Sequence, residues 1–173
     1  MTMAKTVLLL RHAKSSREDA DLADFDRPLA ERGRRDAPRM GRWMKKSGQK
    51  PDLVLCSEAR RARETWAGMA ETLESPAPVL FERGLYMAGS KAILHRLQRV
   101  AGTVGSVLVI GHNPGLEETA LALADGEGEA YARLRRKFPT CALARLEFAL
   151  ESWGELRPGS GRLALFQTPE DIG

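Results

Sequence analysis

The chain has 173 residues, 43% hydrophobic and 29% charged, with a formal net charge of +4 at pH 7. That composition excludes an intrinsically disordered chain, and no apolar run approaches the roughly 20 residues that a bilayer-spanning helix needs. The length fits one domain over residues 1–173 with its own core, and the mild positive balance suits an acidic or phosphorylated partner while being too weak and scattered to argue for nucleic acid.

Residues 6–10 are continuously apolar, the pattern of a strand buried on both faces of a parallel sheet. The run meets Arg11 at once and is too short for a signal peptide, so the chain reads as cytoplasmic, with no membrane partner. Residues 12–28 carry Ser, Asp and Pro without periodicity and read as a loop. Residues 30–47 read as a helix with Ala37, Met40, Gly41 and Met44 on one face and Arg35, Arg39, Arg42 and Lys46 on another; Gly48 and Pro51 end it. A strand over 53–56 follows, and Ser57 offers an N-cap for a helix with the apolar stripe Ala59, Ala62, Trp66, Met69 and Leu73. Residues 79–81 read as a strand and 89–100 as a helix that turns Ile93, Leu94 and Leu97 inward. The clearest strand spans 106–111, after which Asn113 as N-cap and Pro114 as first helical residue predict a helix over 114–124. Residues 125–130 read as a polar loop, and 141–149 and 162–167 as two late strands.

Strands alternating with helices argue an α/β sandwich with a largely parallel sheet. Ligands of such sheets bind beyond the carboxyl ends of the strands. The residues just past three predicted strands are Arg11-His12, Ser57 with Arg61 one helical turn on, and His112-Asn113, so all three sets can converge on one crevice.

Their chemistry is that of phosphoryl transfer through histidine. A neutral imidazole, with an ordinary pKa of about 6.5, is a good nucleophile near neutral pH and can carry a phosphoryl group as a covalent intermediate. Arg11 and Arg61 supply forked donors for the phosphoryl oxygens, His112 adds a donor when protonated, and the helix starts after Ser57 and Asn113 can aim backbone N–H groups at the same anion. Competing motifs fail. There is no G-x-x-x-x-G-K-[ST] and no G-x-G-x-x-G after a strand, and the position six residues past Cys56, where a cysteine phosphatase needs Arg, is Ala62. Cys56 and Cys141 lie far apart without metal-ligand spacing and read as buried reduced thiols; no metal or cofactor is expected.

These motifs resemble a known family. Leu10-Arg11-His12-Ala13-Lys14-Ser15 is similar to the Arg-His-Gly signature of the histidine phosphatase superfamily, whose fold is the phosphoglycerate mutase-like three-layer α/β/α sandwich. Ser57 to Thr65 resembles its Ser-Pro-x-x-Arg-Ala-x-x-Thr segment, Gly111-His112-Asn113-Pro114 its Gly-His segment, and Pro28-Leu29 with Arg32-Gly33 adds a further match. Order and spacing agree over about residues 5–150, and the short length and the Arg-His-Ala-Lys-Ser form are similar to the SixA branch of phosphohistidine phosphatases. The resemblance implies that His12 is the phosphorylated nucleophile and that Arg11, Arg61 and His112 complete the phosphate pocket. Lys14 and Ser15, which begin the loop after the nucleophile, and Asn113 are further candidates to touch phosphate or substrate.

The chain departs from the family pattern in three places. Ala13 replaces the usual Gly, Glu58 replaces Pro, and Leu85-Tyr86 stands where many ester-cleaving members carry an acid for the leaving oxygen. Glu82 is the nearby alternative. An alkoxide is a poor leaving group that needs such an acid, whereas an imidazole needs far less help. The expectation is therefore a metal-independent phosphatase acting on phosphohistidine in a phosphotransfer or signalling protein. The alternatives are a phosphatase for small phosphate esters and a phosphate-recognising module without turnover.

Overall fold

Two strands, β1 (Ala4–Arg11) and β4 (Ser106–Gly111), run side by side and parallel at the centre of a six-stranded sheet. The structure is a computed structural model and describes residues 4–173. The other elements, in chain order, are α1 (Glu31–Ser47), β2 (Leu53–Ser57), α2 (Arg60–Leu73), β3 (Val79–Glu82), α3 (Ser90–Gln98), α4 (Gly115–Leu123), α5 (Glu129–Arg136), β5 (Leu143–Ala149) and β6 (Arg162–Gln167). The strand order is β3-β2-β4-β1-β5-β6. The first four strands are parallel; β5 runs antiparallel to β1, and β6 antiparallel to β5.

Side chains of a strand alternate between the faces of its sheet, so each central strand feeds two cores. Leu8, Leu10, Leu108 and Ile110 pack with Ala37, Met40 and Met44 of α1 and Ala62, Trp66 and Met69 of α2. Val7, Leu9, Val107 and Val109 pack on the opposite face with Ile93 and Leu97 of α3, Leu116 and Ala120 of α4, and Leu134 of α5. The result is the three-layer sandwich expected from the sequence. No helix among the described residues is long and apolar enough to cross a membrane.

The same alternation explains why two neighbours in sequence part company. Arg11 continues the parity of Val7 and Leu9, toward the α4 side, where it meets Phe138. His12 continues that of Leu8 and Leu10, toward α2, where it meets Arg61.

Several local expectations are corrected. The stretch read as a polar loop over 125–130 runs into a helix, α5, because Tyr131 and Leu134 share a face against the core while Arg133, Arg135 and Arg136 favour its last turn. Pro114 precedes α4 rather than opening it, and the Asn113 side chain reaches into the first turn to accept the N–H of Glu117 at 3.2 Å. Ser57 is the last residue of β2, and Ala59 holds the cap position of α2; the Ser57 hydroxyl still accepts the Ala59 N–H at 3.2 Å. The loop over 12–28 contains a 3₁₀ turn, Asp24–Asp26, that matters for the site.

Candidate active site

At the carboxyl ends of β1, β2 and β4, one guanidinium lies between two imidazoles. Arg61, in the first turn of α2 and 3% exposed, donates from Nε to His12 Nε2 at 3.3 Å and meets His112 Nδ1 with Nη2, also at 3.3 Å. The two rings are 5.2 Å apart between centroids. Three of the sequence-predicted residues thus form one cluster although 49 and 51 residues separate Arg61 from its two partners.

The hydrogen bonds assign the tautomers. His12 Nδ1 lies 2.7 Å from the Ala13 carbonyl, which only accepts, so Nδ1 carries the proton and Nε2 keeps its lone pair facing Arg61. His112 accepts from Arg61 at Nδ1 and donates from Nε2 to the Ser57 hydroxyl at 2.8 Å. Burial pushes the His12 imidazole down from 6.5 to about 3, with His112 and the arginines adding to the effect against the Ala13 hydrogen bond. Burial and then Arg61 push His112 down to about 4. Both rings are neutral at pH 7. His112 in the resting protein is a neutral donor to Ser57, not the charged donor that the sequence left open.

Arg11 faces the cluster from the other side of β1. Its Nη1 donates to the Phe138 carbonyl at 2.9 Å, while its buried Nε finds no acceptor among the described residues. Burial lowers its pKa, opposed by Glu117. Asn113 is committed to structure: Nδ2 donates to the Phe138 carbonyl at 3.2 Å and Oδ1 accepts from Glu117. The Ser15 hydroxyl accepts from Arg27 Nη1 at 2.8 Å. The Lys14 side chain is exposed and makes no hydrogen bond among the described residues, although its carbonyl accepts the N–H of Ala30 at 2.8 Å. Glu82 is gripped by Arg96 through two hydrogen bonds of 2.8 Å and makes none to the histidine cluster.

Two site residues escaped the sequence reading. Asp24 accepts Arg61 Nη2 at 3.0 Å on its carboxylate and Arg61 Nη1 at 2.7 Å on its carbonyl, and it takes the Tyr86 hydroxyl at 2.5 Å. The Tyr86 hydrogen bond, together with Arg61 and Arg27, holds the Asp24 carboxyl far below the usual carboxylate range. The Tyr86 ring stands edge-on to His112, with centroids 5.4 Å apart. Nothing local singles out Asp24 among the acids of residues 18–26; only the fold of that loop over Arg61 does.

Glycine positions bring the loops this close. A Cβ on Gly33, in the first turn of α1, would lie 2.2 Å from the Lys14 carbonyl oxygen. One on Gly115, which opens α4, would lie 1.8 Å from the Ala88 carbonyl oxygen, just past Tyr86. The backbone after His12 is tied down as well: the Ala13 N–H donates to Thr65 Oγ1 at 2.9 Å, and the Cys141 N–H reaches the carbonyls of Arg11 and His12 at 2.9 and 3.1 Å. Cys56 and Cys141 are both buried and free, as expected.

The sheet delivers two histidines to one arginine at its carboxyl edge, and comparison with known proteins gives the family. The profile of the histidine phosphatase superfamily (branch 1) matches residues 7–86. An uncharacterized protein of Mycobacterium tuberculosis is 38% identical over 163 residues, covering 92% of this chain and 99% of its own. Among solved structures, a proposed phosphohistidine phosphatase SixA from Agrobacterium tumefaciens superposes with a TM-score of 0.82 at 32% identity, over 95% of this chain and 98% of that one. Another proposed SixA, from Nakamurella multipartitia, gives 0.84 at 30% identity over 96% of each chain. The chain belongs to the histidine phosphatase superfamily. Within it, the structural matches place the chain in the SixA-type branch, and it is a phosphatase-type hydrolase by descent.

Proposed function

We propose that this protein removes phosphate from phosphohistidine on another protein, through a covalent intermediate on His12. One observation carries the reading: the neutral Nε2 of His12 shares Arg61 with His112, and no carboxyl group in that cluster is held protonated. Asp24 touches the cluster but stays ionised, and Glu82 is bound to Arg96. A pocket with this inventory supports a leaving group that needs little protonation, which is an imidazole rather than an alkoxide.

In the proposed reaction, His12 Nε2 attacks phosphorus in line. The P–N bond of the substrate, whose other ring nitrogen carries a proton, breaks, and its electron pair stays on the departing nitrogen, so that a neutral imidazole leaves. Water then attacks phospho-His12 and releases phosphate and the free imidazole of His12. Arg11 and Arg61 stabilise the charge spread over the phosphoryl oxygens, which is the dominant demand of such a transition state. An anion placed against Arg61 also favours protonation of His112, which then becomes a further donor. Ser15, Lys14 and Asn113 shape the loops around the phosphoryl group in this scheme. No metal or cofactor enters it, and turnover is expected to survive a chelator. The setting we propose is the cytoplasm, where thiols such as Cys56 and Cys141 stay reduced.

The test is phosphate release from a protein carrying phosphohistidine, with wild type and His12→Ala side by side and a phosphosugar as the competing substrate. Fast release from the phosphoprotein that vanishes in the variant is the expected result. Release that persists in His12→Ala ends the nucleophile assignment, and preference for the phosphosugar ends the P–N assignment.

A further inference from the structure

Two basic runs far apart in sequence meet across one groove. Arg35 and Arg39 of α1 form one wall, and Arg136 and Lys137 at the end of α5 form the other, around a volume of about 630 Å³. Some of the groove's cations are committed internally. Arg39 bonds Asp36 at 2.9 Å and the Pro169 carbonyl at 3.2 Å, Arg133 bonds the Phe166 carbonyl and Asp171, and Glu170 is the one further carboxylate side chain of the lining among the described residues. Arg35, Arg136 and Lys137 are exposed and have no ion pair or side-chain hydrogen bond among the described residues. Arg42 and Lys46 continue the same exposed face along α1.

The groove adjoins the histidine cluster. Leu10 pairs with Leu143 and Leu143 with Gln167, so the segments before β5 and after β6 lie at the end of the sheet where β1 delivers His12. Residues 138–141 serve as a shared wall. Pro139 and Thr140 line the groove, while the Phe138 carbonyl holds Arg11 and the Cys141 N–H holds the His12 carbonyl. The opposite flank carries both signs. There Asp24 bonds Arg61 and Tyr86 on the β2 and β3 side, in a loop that holds Glu18, Asp19, Asp21 and Asp26 together with Lys14, Arg17 and Arg27, and Arg83 lies over its Phe25. The exposed, unpaired cations of the groove therefore lie on the β6 side of the two histidines.

We infer that the groove between α1, α5 and the segment after β6 docks an acidic patch on the protein that bears the phosphohistidine, an inference that rests on the function proposed above. Complementary charge next to the reacting group speeds encounter and fixes the orientation of the partner. A second copy of this chain fits poorly, because it would bring a basic surface and a net charge of +4 against the same cations. A nucleic acid fits poorly as well, because a net charge of +4 is small for binding a polyanion.

The experiment compares wild type with the triple variant Arg35→Glu, Arg136→Glu, Lys137→Glu on two substrates, an acidic phosphotransfer protein carrying phosphohistidine and the free amino acid phosphohistidine. All three positions are exposed, and a thermal melt checks that the variant folds. For the phosphoprotein, kcat/KM is expected to fall ~10-fold or more through KM, with a flatter dependence on salt. Turnover of free phosphohistidine is expected to be unchanged. An unaltered rate on the phosphoprotein, or an equal loss on both substrates, overturns the docking surface. So does wild-type dimerisation or DNA binding that the triple variant abolishes. If wild type hydrolyses neither substrate, the phosphohistidine reading has failed. The groove is then judged by binding of the unphosphorylated acidic protein, which wild type must bind at low salt and the triple variant must not.

Discussion

Arg61 donates its Nε–H to the Nε2 of His12, the same nitrogen that the proposed reaction uses as its nucleophile. Its second nitrogen, Nη2, touches His112 and Asp24 together. One guanidinium therefore aligns the attacking ring, orients the second ring and presents charge to the phosphoryl oxygens. Arg61→Ala is expected to lower kcat/KM for phosphohistidine on the order of a hundredfold or more, as for loss of one preorganised donor. Arg61→Lys keeps the charge but not the fork and is expected to recover only a small part. Steady-state phosphate release decides this, and near-complete rescue by Lys would show that charge alone matters.

Acid should loosen the fold through the two buried rings. Their folded-state pKa values, about 3 for His12 and about 4 for His112, lie below the ordinary 6.5. The unfolded chain thus binds more protons between those limits. The stability contributed by the neutral rings is complete above pH 6.5 and is lost as pH falls toward 4 and 3. Asp24, with its depressed pKa, acts in the same direction. Urea midpoints are expected to drop from pH 7 to pH 4, and to drop less in His12→Asn, which has no ring to protonate. Identical slopes for the two proteins would contradict the buried neutral assignment.

The same depression shapes the rate profile. The acid limb of kcat/KM reports the free enzyme. With His12 neutral down to low pH, that limb is expected to fall below the ordinary imidazole value of 6.5. A limb at or above 6.5, measured with a substrate that does not itself titrate there, would place the nucleophile in a far wetter environment.

Asp24 competes with any incoming anion for Arg61. Its carboxylate and carbonyl together occupy both terminal nitrogens of the guanidinium. Asp24→Asn removes the charge and keeps the size, so inhibition by inorganic phosphate or tungstate is expected to tighten several-fold. The Tyr86 hydroxyl, whose pKa is raised chiefly by its hydrogen bond to Asp24, is expected to titrate closer to its ordinary value in ultraviolet absorbance. Weaker anion binding in the variant would instead make Asp24 a positioning residue for Arg61.

Gly33 is a packing constraint on the nucleophile loop. A methyl group there meets the Lys14 carbonyl at 2.2 Å, and backbone cannot swing aside as a long side chain can. Gly33→Ala is expected to cost about 1–3 kcal/mol in urea unfolding, as overpacking does, and to lower activity by displacing the segment that follows His12. A stable and fully active variant would mean that α1 shifts freely against this loop.

The chain by itself determined the central strands and the candidate site residues that follow them. Apolar runs that stop at Arg11-His12 and at His112 are local signals, because a buried strand must be apolar and its first polar residues lie at the sheet edge. Arg61 could be placed from its distance past Ser57, since a helix of known pitch follows. Tertiary structure decided what has no periodicity. The helix α5 depends on burying Leu134 against β6 and its neighbours rather than on a strong pattern of its own. Asp24 became a site residue only because its loop folds over Arg61, although four other acids near it in sequence look equivalent. The protonation of the two histidines was also beyond the sequence, because it follows from burial, and burial is a property of the packed molecule.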